Sequence, residues 1–289
     1  MQNPDIPLLN VNVPFGPGSQ EEGDMVLDYM QMPSEMHTYD MPVLPEAEAV
    51  AECPQTVAIL ARLQEMLGQY KVGNKPYEMV LSELPDKDLD MLNQILGEGE
   101  VAAVVSGTTQ VMIQETVMAG VWRLRYQNAQ EDTLRETLEV ADVPDIVRKL
   151  AFFNKRILTV NIDERPASVL NAPSVMVEIA EKSRLFEVGE LESAHVINLS
   201  LLPFSPEDHQ YLNDAIGVGA VTILSRGYGN CRISSTQING LWRVQYFNST
   251  DQLILDTLEI TDIPQVACAA QEDVEDSTER LHEIRTVLT

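Results

Sequence analysis

Residues 92–151 and 212–271 are one sequence written twice, at a constant offset of 120 and with no gap. Leu92-Asn93, Gly97, Gly99 and Val101 return as Leu212-Asn213, Gly217, Gly219 and Val221. Gly120-Val121-Trp122-Arg123 returns as Gly240-Leu241-Trp242-Arg243. Tyr126, Asn128, Thr137-Leu138-Glu139, Asp142 and Pro144 then return as Tyr246, Asn248, Thr257-Leu258-Glu259, Asp262 and Pro264. Close to a third of the aligned positions are identical, which at a fixed register marks two copies of one folding unit. A fold needs its scaffold residues in both copies, whereas a catalytic residue is needed only once. The recurring residues are those of turns, cores and caps. No nucleophile–base constellation, phosphate loop or metal-ligand spacing is among them, so the duplication points to architecture and no enzymatic activity is expected.

Each copy begins with a helical pattern. Thr56 to Gln69 places Val57, Ile59-Leu60, Leu63 and Met66-Leu67 on one face, and Ser174 to Leu185 is its counterpart. A short apolar run follows, Met79-Val80-Leu81 or Val196-Ile197-Asn198-Leu199. It leads to a second helix that Asp86, Asp88 or Ser205-Pro206 can cap and that glycine ends. Beyond the glycines the period falls to two: residues 100–106, 110–118, 120–127 and 133–140 read as strands joined by short turns such as Asn128-Ala129-Gln130-Glu131. Pro144 and Pro264 open further helices behind Asp142 and Asp262. Glu272 to Leu288 reads as a terminal amphipathic helix expected to pack on its own repeat. The expected fold is α+β, with two tandem homologous units over 51–155 and 156–289. Each is an antiparallel sheet of about four strands with helices on one face. Residues 1–50, rich in Pro, Met and acids and without sustained periodicity, are expected to be an acidic N-terminal arm, mostly extended or disordered.

Nineteen basic against 45 acidic side chains give a net charge of −26, which disfavours nucleic acid or an anionic bilayer and favours a basic partner. The imbalance is strongest at the start. Residues 1–61 contain no Lys or Arg but hold Asp5, Glu21, Glu22, Asp24, Asp28, Glu35, Asp40, Glu46, Glu48 and Glu52. Neither a basic-then-apolar leader nor a run of about eighteen apolar residues occurs, so a cytoplasmic protein without membrane insertion is expected. Cys53, Cys231 and Cys268 are too few and too scattered for a disulfide framework and include no CxxC pair. Neither a metal nor another cofactor is expected.

Candidates for partner binding are residues whose chemistry exceeds what a scaffold needs. Met30, Met32 and Met36, beside Tyr39, make a polarizable surface suited to varied apolar segments, although the same methionines serve equally as a packed arm. Trp122-Arg123 and Trp242-Arg243 combine two residue types that anchor interfaces. Strand alternation nonetheless sends Trp inward to the core and Arg outward to the surface. Gly227-Tyr228-Gly229-Asn230-Cys231 is where the copies differ most, since the first has Gly107-Thr108-Thr109-Gln110-Val111. Arg226 and Arg232 flank Cys231 and can lower its thiol pKa. The same glycines also suit a plain hairpin turn, with Tyr228 covering the sheet edge.

Several separated motifs carry a family resemblance. They are Gly16-Pro17-Gly18-Ser19, Met32-Pro33 through Thr38-Tyr39 with Leu44-Pro45-Glu46, Leu96-Gly97-Glu98-Gly99-Glu100-Val101 and Gly120-Val121-Trp122-Arg123-Leu124-Arg125. Gly227-Tyr228-Gly229 and the closing stretch Ile263-Pro264-Gln265-Val266, Glu272-Asp273, Asp276-Ser277 and Arg280-Leu281 complete the set. Together they resemble hydrogenase expression/formation proteins of the HupH/HyaF type, over nearly the whole chain. The resemblance implies an accessory factor in maturation of uptake nickel–iron hydrogenase, a chaperone for the iron–sulfur small subunit precursor before twin-arginine export. Other hydrogenase accessory proteins are further partners on this reading. An export signal of that kind is basic at its start and apolar behind, which matches an acidic arm that steers the arginines and a Met cluster that shields the apolar stretch. Redox or iron–sulfur-cluster handling through Cys231, and a scaffold for other maturation proteins, are the alternatives.

Overall fold

The computed structural model describes residues 44–160, 165–227 and 229–288. Helices α1 (Ala47–Ala51) and α2 (Pro54–Gln69) precede strand β1 (Tyr77–Val80) and helix α3 (Asp86–Leu96). A meander follows, β2 (Val101–Val105), β3 (Gln110–Glu115), β4 (Val121–Gln127) and β5 (Thr133–Val140), closed by α4 (Asp145–Leu150). The second half runs α5 (Ala172–Glu187), β6 (His195–Asn198), a 3-10 turn at Leu199–Leu201 and α6 (Pro206–Ile216). Its meander is β7 (Val221–Ser225), β8 (Asn230–Ser235), β9 (Leu241–Phe247) and β10 (Leu253–Ile260), followed by a 3-10 turn at Gln265–Ala267 and α7 (Gln271–Leu288).

The strands do not form two sheets of about four. They make one antiparallel sheet of ten, in the order β1-β5-β4-β3-β2-β7-β8-β9-β10-β6, with five from each half. The additional pair, β1 and β6, are end strands of four residues with a single buried position each, too short for alternation to show. The halves join through β2 and β7, where Val101, Ala103 and Val105 lie opposite Ser225, Ile223 and Val221. Each half thereby covers an edge the other would leave open.

Helices also cover both sheet faces, not one. On the first face Val121, Leu138 and Val140 pack against Leu63, Leu92 and Ile95, and Leu241, Leu258 and Ile260 pack against Met176, Ile179 and Leu212. On the second, Ile113, Trp122, Leu124, Ile233, Trp242 and Val244 lie beneath Val147 of α4 and Ile263 and Ala267 of the closing turn. Between the two helical layers of the first face, Ala102, Val104, Met112 and Leu224 stay half-buried.

Helix α7 corrects a second expectation. Val274, Leu281, Ile284 and Leu288 enter the core of the first half, not of the repeat they follow. Glycines explain the choice. Gly120, at φ +78°, leaves room for Val274, whose Cγ2 lies 2.9 Å from where a Cβ would stand, whereas the equivalent space at Gly240 is filled by Phe186 of α5.

Capping follows tertiary partners as much as local ones. Ser205 and Asp208 form the reciprocal capping box of α6. Asp86 and Asp88 do not cap α3; instead Asp88 Oδ1 accepts the Thr56 N–H near the start of α2 at 2.8 Å. Its counterpart Asp208 accepts the Leu170, Asn171 and Ala172 N–H groups before α5. Asp142 does not cap α4 either, and Pro264 opens only a 3-10 turn.

Candidate functional site

At the β1 end of the sheet, on the face that carries the tryptophans, β1, β4, β5 and α4 enclose a groove of about 660 Å³. Its walls are Lys75, Pro76, Glu78, Tyr126, Arg135, Glu139, Asp145, Ile146 and Lys149. Strand register builds it in rows, with Glu78, Glu139 and Trp122 side by side on three strands and Arg135 beside Tyr126 on two. Arg135 reaches Glu78 at 2.8 Å and lies 5.6 Å from the Tyr126 ring centroid, while Lys149 pairs with Asp145. Glu139 forms the floor. Its Oε1 accepts the Asp145 N–H at 2.8 Å and so caps α4, the role expected of Asp142. Burial pushes its carboxyl up to about 7, with the Asp145 and Glu78 charges adding to the rise and the Asp145 N–H and Lys149 opposing it.

The second half keeps only part of this constellation. Tyr246 and Glu259 repeat Tyr126 and Glu139, but Glu78, Arg135, Asp145 and Lys149 become Val196, Leu255, Gln265 and Ala269. Apart from Glu139, these charges therefore belong to the first copy alone. That loss between copies was a signal available in the sequence, though it identifies a site only once the sheet brings residues 75–78 beside 126–149.

The residues expected to bind partners fall elsewhere. Trp122 and Trp242, 1% and 0% exposed, are core residues whose indole N–H groups donate to Ala141 O at 2.8 Å and Asp262 O at 3.0 Å. Neither presents its ring at the surface. The face toward which Arg123 and Arg243 point is itself covered by helices, so Arg243 is buried and Arg123 half-buried, where exposed side chains were expected. Arg123 pairs there with Glu136. Arg243 grips the equivalent Asp256 through Nε at 2.9 Å and Nη2, and donates through Nη1 to Asn213 Oδ1 at 2.7 Å. Cys231 is 4% exposed, and burial pushes its thiol up to about 11. The flanking arginine at 232 does not lower it, since alternation turns that side chain to the opposite face over Phe247. Gly229 takes φ +105° in the β7–β8 hairpin, as the turn reading requires. Tyr228, Met30, Met32, Met36 and Tyr39 lie outside the described residues.

The model of the HupH hydrogenase expression protein, C-terminal conserved region, matches residues 54–151 and again residues 169–288. The chain belongs to this family. It is 53% identical to the hydrogenase expression/formation protein HupQ of Azotobacter chroococcum mcd 1, over 95% of this chain and 96% of that protein. Identity to HoxQ of Azotobacter vinelandii is 50%, over 99% of both chains. The hydrogenase-1 operon protein HyaF of Escherichia coli (strain K12) is 29% identical over 93% of this chain and 94% of its own length. Within this HupH-family chain, no group of three or more His, Cys, Asp or Glu among the described residues is placed to hold a metal ion. No helix among them is long and apolar enough to cross a membrane.

Proposed function

We propose that this protein is a non-catalytic cytoplasmic chaperone that holds the hydrogenase small subunit precursor before export. Its family makes it a hydrogenase expression/formation accessory protein. The observation that carries the finer reading is the charge distribution, a net −26 in which residues 1–61 hold no Lys or Arg. Such an arm accelerates encounter with a signal that begins with arginines. The methionines of the arm and the half-buried strip of Ala102, Val104, Met112 and Leu224 offer adaptable apolar surface for the stretch behind them.

Co-purification of the precursor with the full chain, compared with a chain lacking residues 1–45, tests this reading. Capture should weaken without the arm. Undiminished capture discards the arm as the binding element, and equal recovery of other accessory proteins in cells lacking the small subunit supports a scaffold instead. The redox alternative is disfavoured by the buried, high-pKa thiol of Cys231.

A further inference from the structure

Two features of the groove beside β1 are unused by the reading above. The first is its floor. Glu139 is 5% exposed, and its one hydrogen bond, from the Asp145 N–H, engages Oε1. Of the three cations in its walls, Arg135 pairs with Glu78 and Lys149 with Asp145, and Lys75, like every other side chain among the described residues, donates nothing to Glu139. The second carboxylate oxygen of this otherwise buried residue is therefore open to the groove, where a donor from outside can reach it.

The second is its rim, because β1 is an end strand of the sheet. The Leu81 N–H bonds to Glu136 O at 2.8 Å, so alternation turns the backbone groups of Met79 and Tyr77 toward β5 and those of Glu78 and Val80 outward. Val80 is 52% exposed. At the opposite end, β6 presents a similar edge, but Val196 stands where β1 has Glu78.

We propose that the β1 edge and the adjoining groove bind an extended basic peptide segment, which adds to the sheet as a further strand and seats an arginine against Glu139. Distance fits this assignment. A strand paired with β1 lies two inter-strand spacings, about 10 Å, from β5, a gap that an arginine and a glutamate side chain span together. Backbone bonds to Glu78 and Val80 supply affinity, and the guanidinium supplies the donor that the open Glu139 oxygen lacks. The site stands whether or not the N-terminal arm captures the precursor.

The full chain is titrated with a short synthetic peptide alternating valine and arginine, and with its glutamate counterpart, while amide exchange is followed. The arginine peptide should slow exchange at Glu78 and Val80. Glu139→Gln, which keeps the acceptor for the Asp145 N–H, should weaken binding about tenfold to a hundredfold. Val80→Pro, which removes an outward N–H without touching the β5 ladder, should weaken it independently and abolish protection at Glu78. Unchanged affinity in both variants, equal binding of the glutamate peptide, or protection at β6 in place of β1 overturns the proposal.

Discussion

Ala103 and Ile223, the same position in the two copies, face each other across the β2–β7 junction. A residue that pairs with its own equivalent marks a local two-fold, so each copy completes the other's sheet. Trp122 and Trp242 share one hydrophobic core on the second face of that sheet. Urea unfolding followed by tryptophan fluorescence and by far-ultraviolet circular dichroism should therefore give one coincident transition. Two separated transitions would mean the copies are independent domains.

Helix α7 ties the end of the chain to the first half. Leu281 is fully buried there with Leu60, Leu63 and Leu67 of α2. Leu281→Ala should cost about 2–5 kcal/mol. Amide exchange should quicken in α2 and leave α5 less affected; the reverse order would place the helix on the wrong half.

Arg148 bridges equivalent aspartates, contacting Asp142 at 2.6 Å and also Asp262. Asp142 is buried and additionally bonds the Tyr70 hydroxyl at 3.0 Å, whereas the Asp262 side chain is 65% exposed. Arg148→Ala strands a buried carboxylate and should cost about 3 kcal/mol, while Asp262→Ala should cost about 1 kcal/mol or less. Denaturation of the two variants side by side distinguishes the costs, and equal losses would contradict this account.

Glu115 is buried where the second copy has Ser235, and its carboxylate accepts the Gly120 N–H at 3.1 Å. Burial pushes it from its ordinary 4.5 up to about 7, with Glu100 and Asp273 adding to the rise. Between those values the folded protein keeps a proton that the unfolded chain releases, so this group's contribution to stability falls as pH rises through the window. The change is about 3 kcal/mol, complete above the folded pKa. Glu115→Gln should abolish that part of the pH dependence and gain on the wild type between pH 5 and pH 8. A constant difference between the two proteins across this range would refute the assignment.

Cys231 should react with iodoacetamide at neutral pH far more slowly than a free thiol, and at the ordinary rate once urea exposes it. Mass spectrometry of the labelled site reads this directly. Fast labelling of the native protein would revive the redox reading.

Much of the local structure was legible because its causes lie within a few residues. Asn128 Oδ1 accepts the Gln130 and Asp132 N–H groups, and Asn248 repeats this with Thr250 and Gln252, so each hairpin turn is held by its own side chain. Gly97 and Gly217 end α3 and α6 at positive φ, as their spacing indicated. That Arg243 is buried and Arg123 half-buried was not legible, because alternation assigns a face without saying what covers it. The groove has no local signature for a related reason: Glu78 and Glu139 are 61 positions apart and become neighbours only through β1–β5 pairing.

The duplication, the helices and meanders, the turns and the acidic start can all be read along the chain, because periodicity, glycine conformation and charge are properties of short stretches. That the copies share one sheet, that α7 crosses to the first half and that the charged groove forms beside β1 emerge from three-dimensional packing. Those outcomes depend on which edges and hollows meet over long separations. Gly120 leaves a space that Val274 fills while Phe186 closes its twin at Gly240, and steric fit of that kind is absent from either stretch read alone.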